Sequence, residues 1–267
     1  MRVTVCELPH EPDALAAAWA ALCERTVRRS SELVLLPEFS MVDPVWKEES
    51  FDAARCHEAV ALSDVWLQRL PELRVTHVVG TGPVTIDGRP FIQGFLWSAP
   101  GTLIPLRRKL FLPDEPGSWE ARWFDRGDPD FPDYRAGACS FALNICTELW
   151  AVETYAGYAT RGVPLILSPR ATAAATTAKW LSAGVVAAVR SGAFSPSSNR
   201  VEPTGTCGGV GWIIDPCGQV LAQTTRDTPF ATMDIDLSLS AAAQSGYPCY
   251  VFSGLVAHTG FEPVLPP

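Results

Sequence analysis

An α/β fold is predicted by three features of the chain. Short apolar runs of strand length alternate with stretches of helical periodicity. One run, Leu33 to Leu36, is wholly apolar, as befits a strand buried on both faces of a parallel sheet. Turn-forming residues, Asp87-Gly88 among them, separate the periodic segments.

In chain order, residues 2–8 read as the first strand. Pro12-Asp13 opens a helix to about Arg28, with Leu15, Ala18, Trp19 and Leu22 on one face. After the strand at Leu33, a second helix spans Asp52 to Leu70. Val75 to Gly80 is another strand, followed by a hairpin around Asp87-Gly88. Phe91 to Ser98 and Thr102 to Arg108 continue the sheet in antiparallel fashion. Residues 110–137, rich in proline, acid and aromatic residues, form a long loop of the kind that often carries function. A strand 139–145, helix 149–161, strand 164–168 and helix 175–193 follow. Short strands at 208–214, 219–224 and 230–235 close the pattern, with a turn at Asp215 to Gly218. Residues 240–267 show no periodicity. So many strands suit two sheets packed between helix layers, and the absence of a linker or repeat predicts a single domain over 1–267.

The formal charge is −8, and the only three-residue basic run is Arg107-Arg108-Lys109. A nucleic-acid groove needs a basic face, and an anionic membrane needs a basic patch, so neither partner is expected. No apolar stretch approaches the ~20 residues that would span a bilayer. The eight cysteines show no CxxC and no Cys/His spacing of zinc type. The chain opens directly into a strand without a leader pattern. Reduced thiols, no metal and a cytoplasmic location are the corresponding expectations.

Three apolar runs end in chemistry-bearing residues: Glu38 after Leu33 to Pro37, Lys109 after Leu103 to Arg108, and Cys146 after Phe141 to Ile145. Open α/β sheets place their sites beyond strand carboxyl ends, so a carboxylate, an ammonium and a thiol could converge there. A buried cysteine is most often a packing residue. At a turn into a helix, however, its thiolate is favoured by the helix dipole and by unpaired N–H groups. Of the acid–base candidates, His10, His57, His77 and His258 stand alone, which leaves Glu38 as the base. Lys109 would supply a fixed cation where charge builds on oxygen.

Pro37-Glu38, then Arg108-Lys109-Leu-Phe-Leu-Pro113, then Ile145-Cys146-Thr-Glu148 resemble the signature series of the carbon–nitrogen hydrolase (nitrilase) superfamily over about residues 1 to 237. The resemblance implies an αββα four-layer sandwich that pairs as an αββα–αββα homodimer, with no cofactor. It further implies Glu38 as general base, Lys109 as the oxyanion-side cation and Cys146 as nucleophile, working through a thioester. A second glutamate follows the lysine in many members. Glu120 fits that position best and Glu115 competes. The Thr147 backbone N–H would join Lys109 around the oxyanion.

The chain departs from many amidase members after the cysteine, with Thr147, Glu148 and Trp150, and after residue 168, with Pro169-Arg170-Ala171. Arg170 could grip a substrate carboxylate as a planar fork, or serve as a structural ion pair or carbonyl cap. Trp119, Trp123 and Trp150 could form an aromatic wall. The expected function is hydrolysis of a small linear amide, N-carbamoyl amides included. Nitrile hydrolysis, acyl transfer to an amine and a catalytically silent binding subunit are the alternatives, and the modest chain length disfavours the nitrile reading.

Overall fold

The computed structural model describes residues 1–252. The chain runs through β1 (Arg2–Leu8), α1 (Pro12–Arg29), β2 (Leu33–Leu35), α2 (Ala53–Leu67), β3 (His77–Ile86), β4 (Arg89–Ser98) and β5 (Thr102–Arg108). It continues through α3 (Glu120–Trp123), β6 (Asp133–Ala136), β7 (Cys139–Leu143), α4 (Thr154–Thr160), β8 (Ile166–Arg170) and α5 (Thr177–Ser191). The last part holds β9 (Ser195–Arg200), β10 (Trp212–Ile214), β11 (Val220–Gln223), β12 (Phe230–Asp234), α6 (Ser238–Ser245) and α7 (Cys249–Phe252).

Local chemistry explains the elements that frame the site. Pro12 fits the first turn of α1, where its missing N–H costs nothing, and Asp13 favours the positive helix end. Leu15, Trp19 and Leu22 then recur at helical spacing and are buried. The Asp52 side chain caps α2 by accepting from the N–H groups of Ala54 and Arg55. β3 and β4 are joined by Asp87 and Gly88, both at positive φ (51° and 76°), the two-residue turn that matches strand twist.

β1 ties two sheets together. Its residues Val3 to Val5 pair with β2 on one side and β12 on the other, while Glu7 and Leu8 pair with β9. One sheet therefore runs β5-β4-β3-β2-β1-β12 and the other β6-β7-β8-β9-β10-β11. A shared apolar core draws on both, including Leu35, Val79, Phe141, Leu143 and Ile213. α1 and α2 cover the first sheet. α4 and α5 cover the second, where Ala183, Ala187 and Ala188 pack with Trp212 and Ile214. Gly184 permits this approach, since a Cβ there would sit 2.8 Å from the Trp212 indole. The architecture is the expected αββα sandwich.

Strand direction decides where the site lies. β1, β2 and β3 are parallel, and two antiparallel steps return β5 to the direction of β3. β7, β8 and β9 are parallel, and β9 is parallel to β1. The carboxyl ends of β2, β5, β7 and β8 consequently open on one edge of the sandwich.

Several expectations are corrected. The helix expected over 149–161 divides into a 3-10 turn, Cys146–Trp150, and the shorter α4. The strand expected from 208 begins only at Trp212, because Gly209 and Val210 are held at positive φ (66° and 63°), with the Val210 N–H donating to Glu7 Oε1. The loop 110–137 contains α3 and β6. β9 was not expected at all. Its sequence Ser-Pro-Ser-Ser-Asn-Arg is polar, yet every residue is buried. Part of the region from 240 is helical, in α6 and α7, and residues 253–267 lie outside the described residues.

Candidate active site

Lys109 is clasped by its backbone before its side chain does anything. Its N–H donates to the Ile92 carbonyl (2.8 Å), and its own carbonyl accepts from Gly127 (2.9 Å). Gly127 is required for that approach, since a Cβ there would collide with the Arg108 carbonyl. The ammonium is fully buried, 2.8 Å from Glu38 Oε1 and 2.6 Å from Glu120 Oε2. The first helical residue of α3 is Glu120, which brings that acid in from the long loop.

Glu38 stands on the segment that leaves β2. Its N–H donates to the Arg170 carbonyl (3.2 Å), which fastens it to the end of β8. The next residue, Phe39, is held at φ +52°, and its N–H donates to Thr81 Oγ1 (3.0 Å). Arg200, fully buried on β9, donates to the carbonyls of Phe39 (2.7 Å) and Val42 (3.1 Å) and fixes the same loop. Glu38 Oε2 is buried and has no hydrogen-bond partner among the described residues.

Two carboxylates sharing one ammonium cannot both be fully compensated. Burial, resisted by Lys109 and reinforced by Glu38, pushes the Glu120 carboxyl up to about 7. Burial alone would lower the pKa of Lys109, but Glu120 and Glu38 more than reverse that, so the amine stays charged above the ordinary lysine range.

Cys146 opens the 3-10 turn at φ +47°, a left-handed conformation that costs a residue with a Cβ about 1–2 kcal/mol. Its thiol is pushed well above the ordinary range, first by burial and then by Glu38, while Lys109 and the Ala171 N–H act in the opposite sense. The help that a helix N-terminus was expected to give the thiolate is small here. The helix is one short 3-10 turn, and desolvation outweighs the cation. A thiol pushed up by burial calls for a base, the part expected of Glu38.

A cleft of about 410 Å³ opens over this centre, with Glu120, Cys146, Thr147 and Ala171 in its lining. Thr147 lies in the first turn of the 3-10 segment, where backbone N–H groups lack intrahelical partners. Trp150, 40% exposed, and Trp180 form one wall, with ring centroids 5.4 Å apart and Lys179 Nζ 5.9 Å from the Trp150 ring. Trp46 and Lys47 line the cleft as well. Glu115 is also in the lining, but Glu120 is the acid that meets Lys109.

Three of the residues expected to meet substrate, Arg170, Trp119 and Trp123, are placed elsewhere. Arg170 does not reach the cleft as a carboxylate fork. It is buried, its nitrogens donate to Ser197 Oγ (2.7 Å), Thr172 Oγ1 (2.8 Å) and the Val210 carbonyl (2.6 Å), and it stacks 3.8 Å over Trp212. Trp119 precedes α3 outside the cleft lining, with its ring under the Arg122 guanidinium. Trp123 is buried, its indole donating to the Glu48 carbonyl (2.6 Å). Trp46 and Trp180, which the sequence reading passed over, take the aromatic role. Their signal was weak, because neither adjoins a motif. No group of three or more His, Cys, Asp or Glu among the described residues is arranged to hold a metal ion. No helix among them is long and apolar enough to cross a membrane.

No curated protein sequence shows a significant match to the chain. Among solved structures, a carbon–nitrogen hydrolase from Helicobacter pylori G27 superposes with a TM-score of 0.80 at 18% identity, covering 96% of this chain and 98% of that one. An amidase from Nesterenkonia sp. superposes with a TM-score of 0.76 at 18% identity, over 96% of each chain. A variant of the Nesterenkonia sp. AN1 amidase with acrylamide added at its active-site cysteine gives 0.74 at 19% identity, over 96% of this chain and 99% of that one. At these identities the likeness concerns the fold. The sequence profile of the carbon–nitrogen hydrolase family matches residues 2–244, nearly the whole chain. With that match joined to the αββα sandwich, this protein belongs to the carbon–nitrogen hydrolase family, within the nitrilase superfamily.

Proposed function

We propose that the protein hydrolyses the carbon–nitrogen bond of small linear amides, N-carbamoyl amides included, through a thioester on Cys146. The observation that carries this reading is the buried Glu38–Lys109–Glu120 cluster beside a cysteine that lines an open cleft. Glu38 takes the thiol proton through its unpartnered oxygen as the sulfur attacks the carbonyl carbon. The C–S bond forms and the carbonyl π electrons move to oxygen, where Lys109 and the Thr147 N–H stabilise them. Collapse breaks the C–N bond, and Glu38 returns its proton to the departing ammonia or amine. Water, deprotonated by the same carboxylate, then attacks the thioester, releasing the acid and restoring the thiol. The acrylamide adduct of the Nesterenkonia relative supports a reactive cysteine in this fold.

Glu120 keeps Lys109 in place and balances its charge. The cleft volume favours small substrates, and the aromatic wall favours an acyl group with apolar surface. Pairing into a homodimer belongs to the same proposal and is open to sedimentation. Ammonia release from a panel of small amides, run beside the matching nitriles, tests the function. Turnover of amides that is lost in Cys146→Ala supports it. Activity confined to nitriles, or none on either panel, removes it.

A further inference from the structure

We infer that Glu148 is a positioning residue, which sets the distance between the Lys109 ammonium and the Cys146 sulfur by bridging the two backbones that carry them. Its side chain is fully buried. Oε1 accepts from the N–H of Leu110 (2.7 Å), the residue after Lys109, and Oε2 accepts from the N–H of Ile145 (2.9 Å), the residue before Cys146. Arg107, on the same strand end as Lys109, donates to Oε2 as well. One carboxylate thus joins the β5 end in one sheet to the β7 end in the other, immediately beside both reactive residues.

The clamp is supported in turn. The Glu148 carbonyl accepts from Asn144 Nδ2 (2.8 Å), and Asn144 Oδ1 accepts from the Tyr158 hydroxyl (2.8 Å) on α4. This holds the 3-10 turn on both sides of Cys146, where the left-handed backbone would otherwise relax. Glu148 itself touches no reacting atom. A carboxylate is needed because all three groups facing it are donors. An amide would offer one acceptor oxygen and turn an NH2 toward a remaining donor.

The inference rests on Cys146 being the nucleophile, and alkylation by iodoacetamide separates the two claims. Cys217 is an exposed thiol and serves as an internal reference. In the wild-type protein Cys146 should be alkylated, and Glu38→Gln should suppress this. A Cys146 that never reacts in the wild type would remove the proposed function and the inference together. With the wild type reactive, Glu148→Gln should lower the Cys146 rate relative to Cys217 by tenfold or more. It should also lower kcat by a similar factor with KM within twofold, and Glu148→Asp, too short to reach both backbones, should not restore either. A merely structural role would lower thermal stability while leaving the alkylation ratio and kcat per folded molecule at wild-type values, and that result overturns the inference. Should Glu148→Gln not fold, Asn144→Ala loosens the same turn from the other side. A folded Asn144→Ala protein with unchanged Cys146 alkylation would likewise overturn it.

Discussion

Glu38 and Lys109 meet 2.8 Å apart, both at 0% exposure, although they stand 71 residues apart in the chain. Each leaves the carboxyl end of its own strand, and both strands belong to the same sheet. A contact of this kind is costly unless both charges are held. Removing the ammonium strands two carboxylates in a dry interior. Lys109→Met should abolish turnover and destabilise the fold by about 3–5 kcal/mol at neutral pH, by urea unfolding. Loss of activity with unchanged stability would contradict the picture of a tightly desolvated cluster.

Glu120 gives the cluster a pH signature. Its carboxyl is pushed up to about 7 by burial, against 4.5 for the unperturbed group. Between about pH 4.5 and 7 the folded state therefore binds a proton that the unfolded state has released, and this contribution to stability declines as pH rises. The stability of wild type relative to Glu120→Gln should fall by about 1–3 kcal/mol across that window. Unfolding curves at pH 5, 6 and 7 read it directly. A difference that rises with pH would mean that Lys109 dominates the carboxyl.

Arg170 should behave as a structural residue. Each of its three nitrogens already donates to an internal acceptor, and the guanidinium is buried against Trp212. Arg170→Met should cost about 1–3 kcal/mol in stability by leaving its partners unpaired. Its effect on KM should be equal for acidic and neutral amides. A larger KM increase for the acidic ones would restore the carboxylate-fork reading.

Trp150 is the exposed half of the aromatic wall, so its removal should act on binding. Trp150→Ala should raise KM about tenfold for amides with apolar acyl groups and leave kcat within about twofold. Acetamide-sized substrates should respond less. A fall in kcat at constant KM would instead place Trp150 in the chemical step.

Gly127 should be intolerant of substitution, because Gly127→Ala drives a methyl group into the Arg108 carbonyl and displaces Lys109. A loss of kcat greater than the loss of stability is the expected result, checked by steady-state kinetics beside thermal unfolding. Wild-type kinetics would show that the loop yields without moving the lysine.

The framework was legible where burial is written in apolar residues. Leu33 to Leu36, the α1 face and the Asp87-Gly88 hairpin follow from periodicity and turn chemistry, and they carry Glu38 and Lys109 to one sheet edge. β9 escaped because several of its polar side chains find partners inside the protein: Ser197 and Ser198 donate to the Ser168 and Leu35 carbonyls, Asn199 to those of Thr172 and Gly209, and one Arg200 nitrogen to those of Phe39 and Val42. Hydropathy cannot distinguish such a strand from a loop. Arg170 misled for the same reason, since a guanidinium reads as a ligand-binding group until its internal acceptors are seen. How strongly burial pushes up the Cys146 thiol was equally hidden, because the degree of desolvation depends on tertiary packing. Glu148 attracted attention only as a departure after the cysteine, and its two backbone partners become neighbours only when both sheets are in place.

The most direct measurement of the central claim is mass spectrometry of the protein quenched with acid during amide turnover, followed by peptide mapping. The acyl group of the substrate is expected on Cys146, with no such adduct in Cys146→Ala. Continued turnover by Cys146→Ala, or an acyl group mapped to any other residue, would contradict it.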